Sequence, residues 1–173
     1  MPSAPETVVT ISSLNLHTGE GRRIELPIEL APFELGGQTY LADPIRPQAR
    51  LEASRHSSGF AFKLNFPVHL EGPCMRCLEP ADASFDIDAR EISQPGAGDE
   101  LDSPYVEAGV LDVAAWARDA LALSLPRAIL CRADCAGLCP ICGADLNNAG
   151  PEHQHESEPD SRWAKLSEIK FDA

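Results

Sequence analysis

The sequence predicts an α+β fold: an antiparallel sheet, possibly barrel-like, covered by one main helix and followed by a Cys-rich segment. Three observations carry this. From residue 22 to residue 92 apolar and polar residues alternate in runs, the pattern of half-buried strands. Near residue 112 the period becomes helical. And four of the six cysteines, Cys131, Cys135, Cys139 and Cys142, fall within twelve residues, while the other two, Cys74 and Cys77, form a Cys-x-x-Cys upstream.

Residues 1–6 read as a disordered N-terminus, and 7–93 as the sheet region. Thr7–Leu16 predicts a strand, with β-branched Val8, Val9, Thr10 and Ile11. Thr18–Gly21 is a turn. In Arg22–Leu30, Ile24, Leu26, Ile28 and Leu30 alternate with Arg23, Glu25 and Glu29, and Pro27 argues for an edge or a break. Gly36-Gly37 is a second turn, and Pro44 and Pro47 mark a connection. Ala49–Arg55 and Gly59–Leu70 then form a hairpin about His56–Gly59. Pro67 again suggests an edge or a bulge. The second strand runs straight into Cys74, so the first Cys pair sits on the turn that ends it, and Ala83–Ile92 is the returning strand.

Residues 94–104 form an acidic loop. The stretch 105–130 carries the helix: Asp112 can cap it, Val113, Trp116, Ala117, Ala120, Leu121 and Leu123 give it an apolar stripe, and Pro126 stops it. That stripe reads as core. Residues 131–173 are the Cys/His segment, with a short C-terminal helix from Asp160 or Ser161 through Trp163, Leu166 and Ile169. The segment is expected to pack with the sheet as one domain, consistent with a chain of 173 residues.

Composition narrows the function. No apolar run approaches the roughly 20 residues that cross a bilayer, and no secretory signal opens the chain, so a cytoplasmic protein without membrane attachment is expected. Thiols stay reduced there, and Cys-rich spacing then favours metal over disulfides. The net charge of -13 argues against a general nucleic-acid coat. One stretch differs: Arg46, Arg50, Arg55, Lys63 and Arg76 face only Glu52 and Glu71, so these five are the candidates for direct RNA contact.

Two cysteines three apart on a tight turn can both face one tetrahedral ion, and a following glycine lets the backbone turn beneath the sulfur. Cys139-Pro-Ile-Cys142-Gly143 has all of this. Cys74-Met-Arg-Cys77 has the spacing but carries Leu78 in the glycine's place. His153 and His155 bring the candidate ligands to eight, enough for two tetrahedral sites. Zinc is the expected ion, one or two per chain and structural. Two partitions are open: Cys74 and Cys77 join either Cys139 and Cys142 or Cys131 and Cys135, the rest forming the second site. A single site with spare cysteines is also open. The chemical rival is a thiol oxidoreductase using Cys139 and Cys142, but that chemistry wants a long helix after the pair. No nucleophile elbow, P-loop or dinucleotide-binding glycine pattern is present, and no catalytic residue is assigned.

Cys74-x-Arg76-Cys77-Leu-Glu-Pro, the helix ending at Pro126, and Cys131-x-x-x-Cys135-x-Gly137-Leu138-Cys139-Pro140-x-Cys142-Gly143-x-Asp145-Leu146-Asn147 follow in order. Together they resemble the YceD family of large ribosomal RNA subunit accumulation proteins. Arg162-Trp163-Ala-Lys165-Leu166 resembles the family's ending. Some members carry Cys-x-Cys where this chain has His153-Gln-His155, so the resemblance favours both histidines as ligands. It implies a non-enzymatic role in accumulation or processing of large-subunit ribosomal RNA, and with it in ribosome biogenesis. The acidic charge then points to ribosomal or RNA-processing proteins as partners, met through salt-sensitive attraction. A zinc-dependent interaction module unrelated to ribosomes is the remaining alternative.

Overall fold

The computed structural model describes residues 7–96 and 101–155. The chain divides into two compact units, Met1–Cys135 and Ala136–Ala173. The expected disordered residues 1–6 and the expected C-terminal helix lie outside the described residues, as do positions 97–100 of the acidic loop.

The first unit is α+β, mostly antiparallel sheet with one main helix. Strand β1 (Val8–Thr10) breaks into a single 3-10 turn at Ile11–Leu14, earlier than the predicted strand end at Leu16. Then come β2 (Gly21–Pro27), β3 (Phe33–Leu35), β4 (Gln38–Asp43), β5 (Gln48–Arg55), β6 (Phe60–Pro73) and β7 (Pro80–Ser93). A small hairpin of β8 (Val106–Glu107) and β9 (Val110–Asp112) precedes helix α1 (Val113–Ser124).

Strand β6 organises the sheet. Along its whole length it pairs with β7, from Phe60↔Ser93 to Pro73↔Pro80. Its other edge is shared, β5 pairing with residues 60–65 and β4 with residues 69–71. Strand β2 then lies outside β5, and β3 outside β4. Pro67 falls in the gap that neither β5 nor β4 reaches. A central strand therefore tolerates a proline here, where the sequence suggested an edge or a bulge. Pro27, by contrast, ends a true edge strand. The sheet does not close: β2 and β7 lie on opposite sides and do not pair, so the barrel-like alternative is corrected to an open sheet.

Alternation fixes the two faces. Leu51, Phe62, Leu64, Phe66, Val68 and Leu70 point into the core, each no more than 4% exposed. Helix α1 packs on this face against β7, burying Trp116, Ala117 and Leu121. Asp112 caps it as predicted, accepting from the Ala115 N–H at 2.9 Å. Of the stripe, Leu123 is 89% exposed, past the covered face. The β8–β9 turn, Ala108-Gly109, has both residues at positive φ and tucks the chain under the helix start.

Candidate metal centres

The β6–β7 hairpin turns through Cys74–Glu79. The Cys74 N–H donates to the Glu79 carbonyl at 2.7 Å, and the Leu78 N–H donates to the Cys74 carbonyl at 3.0 Å. Cys139–Ala144 repeats this turn: Cys139 N–H to the Ala144 carbonyl at 2.8 Å, Gly143 N–H to the Cys139 carbonyl at 2.8 Å. The residue after the second cysteine is left-handed in both, φ 65 at Leu78 and φ 73 at Gly143. Only glycine adopts that backbone freely. The missing glycine of the first motif thus changed the residue and not the turn.

In the first unit the chain leaving α1 runs back past this turn. The Met75 N–H donates to the Ile129 carbonyl at 3.0 Å, which sets Cys131 and Cys135 opposite Cys74 and Cys77. Cys74 Sγ lies 3.8 Å from Cys135 Sγ, and Cys77 Sγ lies 3.5 Å from Cys131 Sγ. All four sulfurs are within 4.8 Å of one another. These separations far exceed a disulfide bond of about 2.05 Å, and all six cysteines are free. Arg76 closes the site from outside, its Nη1 donating to the Cys135 carbonyl at 2.7 Å.

The four thiols perturb one another. Burial pushes the Cys74 thiol up, but N–H groups of Cys131, Cys77 and Arg76 directed at its sulfur bring it down to about 6. Its neighbours go the other way. The Cys77 contact pushes Cys131 up to about 12, with burial and the other thiols adding to it. At Cys77 the Glu79 N–H favours the thiolate, yet burial and the contacts of Cys135 and Cys74 leave it raised. Four thiolates this close repel without a cation between them.

The second quartet lies within the second unit. Cys139, Cys142, His153 and His155 bring one ligand atom each within 4.8 Å of the others. Cys142 Sγ is 3.7 Å from His153 Nε2, which is 3.2 Å from His155 Nε2. His153 is the main cause that lowers Cys139 to about 6, with the N–H groups of Cys142 and Ile141 assisting. A side-chain clamp shapes the loop between the two ligand pairs. Asp145 Oδ1 accepts from the Asn147 N–H at 2.9 Å, and Asn147 Oδ1 accepts from the Ala136 N–H at 2.8 Å. In the sequence these two residues stand inside the motif with no ligand role. An Asx turn, legible in Asp-x-Asn, is the signal that explains them.

Each quartet could hold a metal ion. The grouping is the second of the two partitions left open by the sequence: Cys74, Cys77, Cys131 and Cys135 in one, Cys139, Cys142, His153 and His155 in the other. The five candidate RNA-contacting cations do not make one bare surface. Arg46 pairs with Glu29 at 2.6 Å, Arg50 with Glu25 at 3.3 Å and Lys63 with Asp88 at 3.2 Å. Arg55 stacks over the Phe60 ring, 5.2 Å from its centroid. Arg76 sits in the Cys74–Glu79 turn, toward the opposite end of the hairpin from Lys63. Among the described residues no helix is long and apolar enough to cross a membrane.

Comparison with known proteins agrees with the motif. The chain is 36% identical over 104 residues to uncharacterized proteins of Mycobacterium bovis and Mycobacterium tuberculosis, covering 57% of this chain and 49% of each relative. An uncharacterized protein of Mycobacterium leprae is 28% identical over 148 residues, covering 82% of this chain and 64% of that protein. The chain thus spans about half the length of the first of these relatives. No solved structure matches. The family described as large ribosomal RNA subunit accumulation protein YceD matches residues 62–170, more than half of the chain and all eight candidate ligands. On that match the chain belongs to the YceD family.

Proposed function

We propose that this protein is a non-enzymatic, zinc-stabilised factor in the accumulation of large-subunit ribosomal RNA, working in the cytoplasm during ribosome assembly. The family match carries this reading, because its span includes both metal-competent quartets. Zinc is the ion the donors suit. Tetrahedral zinc with Zn–S near 2.3 Å sets sulfur–sulfur edges of about 3.8 Å, and with Zn–N of 2.0–2.1 Å it sets nitrogen–nitrogen edges of about 3.3 Å. The observed 3.5 and 3.8 Å between thiols and 3.2 Å between imidazoles fit those edges.

Bound zinc would supply the positive charge that the crowded thiols require. With four protein ligands at each ion no open position is left for a reactive water, so the role is structural. The first site would tie the β6–β7 hairpin to the chain leaving α1, and the second would hold the loop of the Cys139 turn. A thiol oxidoreductase at Cys139 and Cys142 is the weaker reading: residues 143–155 contain no helix to activate the leading thiol.

The acidic surface suits ribosomal or RNA-processing proteins with basic patches. The test is cosedimentation of the tagged protein with large-subunit precursor particles, together with the ratio of large- to small-subunit ribosomal RNA after depletion. Association and a lowered ratio are expected. Sedimentation only at the top of the gradient, with an unchanged ratio, would overturn the reading.

A further inference from the structure

The solvent face of the sheet is divided by charge. At the end near the β5–β6 turn, one register row crosses four strands as Arg23, Glu52, Lys63 and Arg90. Lys63 and Arg90 are directly opposite each other, and like charges so placed repel. Asp88 answers both, at 3.2 Å from Lys63 and 3.9 Å from Arg90. Toward the cysteine end, the same face carries Asp43, Glu71, Asp82 and Asp86 with no Lys or Arg.

A groove of about 500 Å³ opens at the basic end. Its walls carry Arg23, Lys63 and Arg90 against Glu52, and its floor is small or apolar, with Ala61 and the half-exposed Ile92. On a chain of net charge -13, a hollow with three cations and one carboxylate is a local reversal of sign. Sequence spacing could not show it, because the cations come from three separate strands.

We infer that this groove contacts the phosphate backbone of large-subunit ribosomal RNA through Arg23, Lys63 and Arg90, an inference that rests on the function proposed above. Phosphates would relieve the opposed Lys63 and Arg90. The pairs to be displaced, Arg23 with Glu52 at 2.7 Å and Lys63 with Asp88, are solvent-exposed and so cost little to break. The acidic end of the same face would hold RNA away and fix its direction of approach.

The test compares the full zinc-loaded chain with the triple variant Arg23→Gln, Lys63→Gln, Arg90→Gln. The probe is a set of overlapping transcripts tiling precursor large-subunit ribosomal RNA, titrated at several salt concentrations. Each lost single-strand phosphate contact removes about 0.7 from the salt slope, so the triple variant should lose roughly 2 and bind on the order of tenfold or more weakly. Glu71→Gln with Asp82→Asn should not weaken binding. Unchanged melting and zinc content of the triple variant, which alters no cysteine turn, would show that it is folded. A folded triple variant that binds like the wild type would overturn the inference. Wild-type protein that joins precursor particles but binds no transcript would also overturn it, and would assign attachment to a protein partner. Failure to join particles as well would remove the proposed function itself.

Discussion

The guanidinium of Arg76 donates to the carbonyl of Cys135, so a residue inside one Cys pair braces the backbone of another candidate ligand. The sequence suggested Arg76 as an RNA contact. The structure ties it to the first quartet. Groups that orient metal ligands are commonly worth 10–100-fold in affinity. Arg76→Ala should therefore release zinc from the Cys74 site roughly tenfold more readily to a competing chelator, with release from the Cys139 site unaltered. Equal release from both sites in variant and wild type would contradict this.

Leu78 and Gly143 occupy the same place in two similar turns, and only one is suited to it. A left-handed backbone costs an L-residue about 1–2 kcal/mol, while glycine gives part of that back through the freedom it loses on folding. Leu78 is 54% exposed, so its side chain contributes little packing. Leu78→Gly should be neutral or stabilising by up to about 1 kcal/mol, and Gly143→Ala should destabilise by about 1 kcal/mol. Denaturant unfolding of the zinc-loaded protein measures the first, and chelator competition at the second site the other. Destabilisation by Leu78→Gly beyond about 1 kcal/mol would mean that Leu78 makes a contact of its own.

Short-range chemistry made much of this legible. The alternation in Ala49–Arg55 and Gly59–Leu70, the Asp112 cap with Pro126 beyond it, and all eight candidate ligands follow from local patterns. What escaped depends on the folded chain. The ligand partition rests on the Met75–Ile129 hydrogen bond, which joins segments far apart in sequence. The Phe33–Leu35 and Gln38–Asp43 strands are too short to show a period, although their Gly36-Gly37 turn was visible. The basic groove is assembled by register across β2, β6 and β7, and register is a property of the sheet.

Gly72 is required by Tyr40. A Cβ at position 72 would stand 2.4 Å from Cδ1 of the Tyr40 ring, which is fully buried and whose hydroxyl donates to the Pro73 carbonyl at 2.6 Å. The pair thus seats β4 on β6 two residues before Cys74. Gly72→Ala should cost about 1–3 kcal/mol through overpacking, and Tyr40→Phe about 0.5–1.5 kcal/mol through the lost hydrogen bond. Their double-mutant cycle should show coupling. Strict additivity would indicate that the ring moves aside freely.

The two tyrosines provide a test by pH. Burial raises Tyr40, the nearby Cys74 adding to it, and burial with the Asp119 hydrogen bond raises Tyr105 to about 12. Both shifts favour the neutral phenol in the folded state. Their contribution to stability is complete below the ordinary value of about 10 and is lost as pH rises, for Tyr105 through about 12. Phenolate absorbance should therefore rise near pH 10 in denaturant but later in the folded protein, and Asp119→Asn should bring Tyr105 back toward the ordinary range. Titration of either tyrosine near 10 in folded protein would contradict its burial.

Metal content tests the quartets directly. Native mass spectrometry of protein purified without chelator should show two zinc ions per chain. The ligands must be deprotonated, so acid should remove both. Cys74→Ser should lose one ion and leave the other, and His153→Ala should do the same at the other site. Because each quartet lies within one unit, the two losses should be independent, and the double variant should carry none. A single ion lost equally through Cys74→Ser and His153→Ala would mean that the eight candidates do not form two sites. Metal-free protein with Cys139 and Cys142 joined as a disulfide would instead favour thiol redox chemistry at that pair.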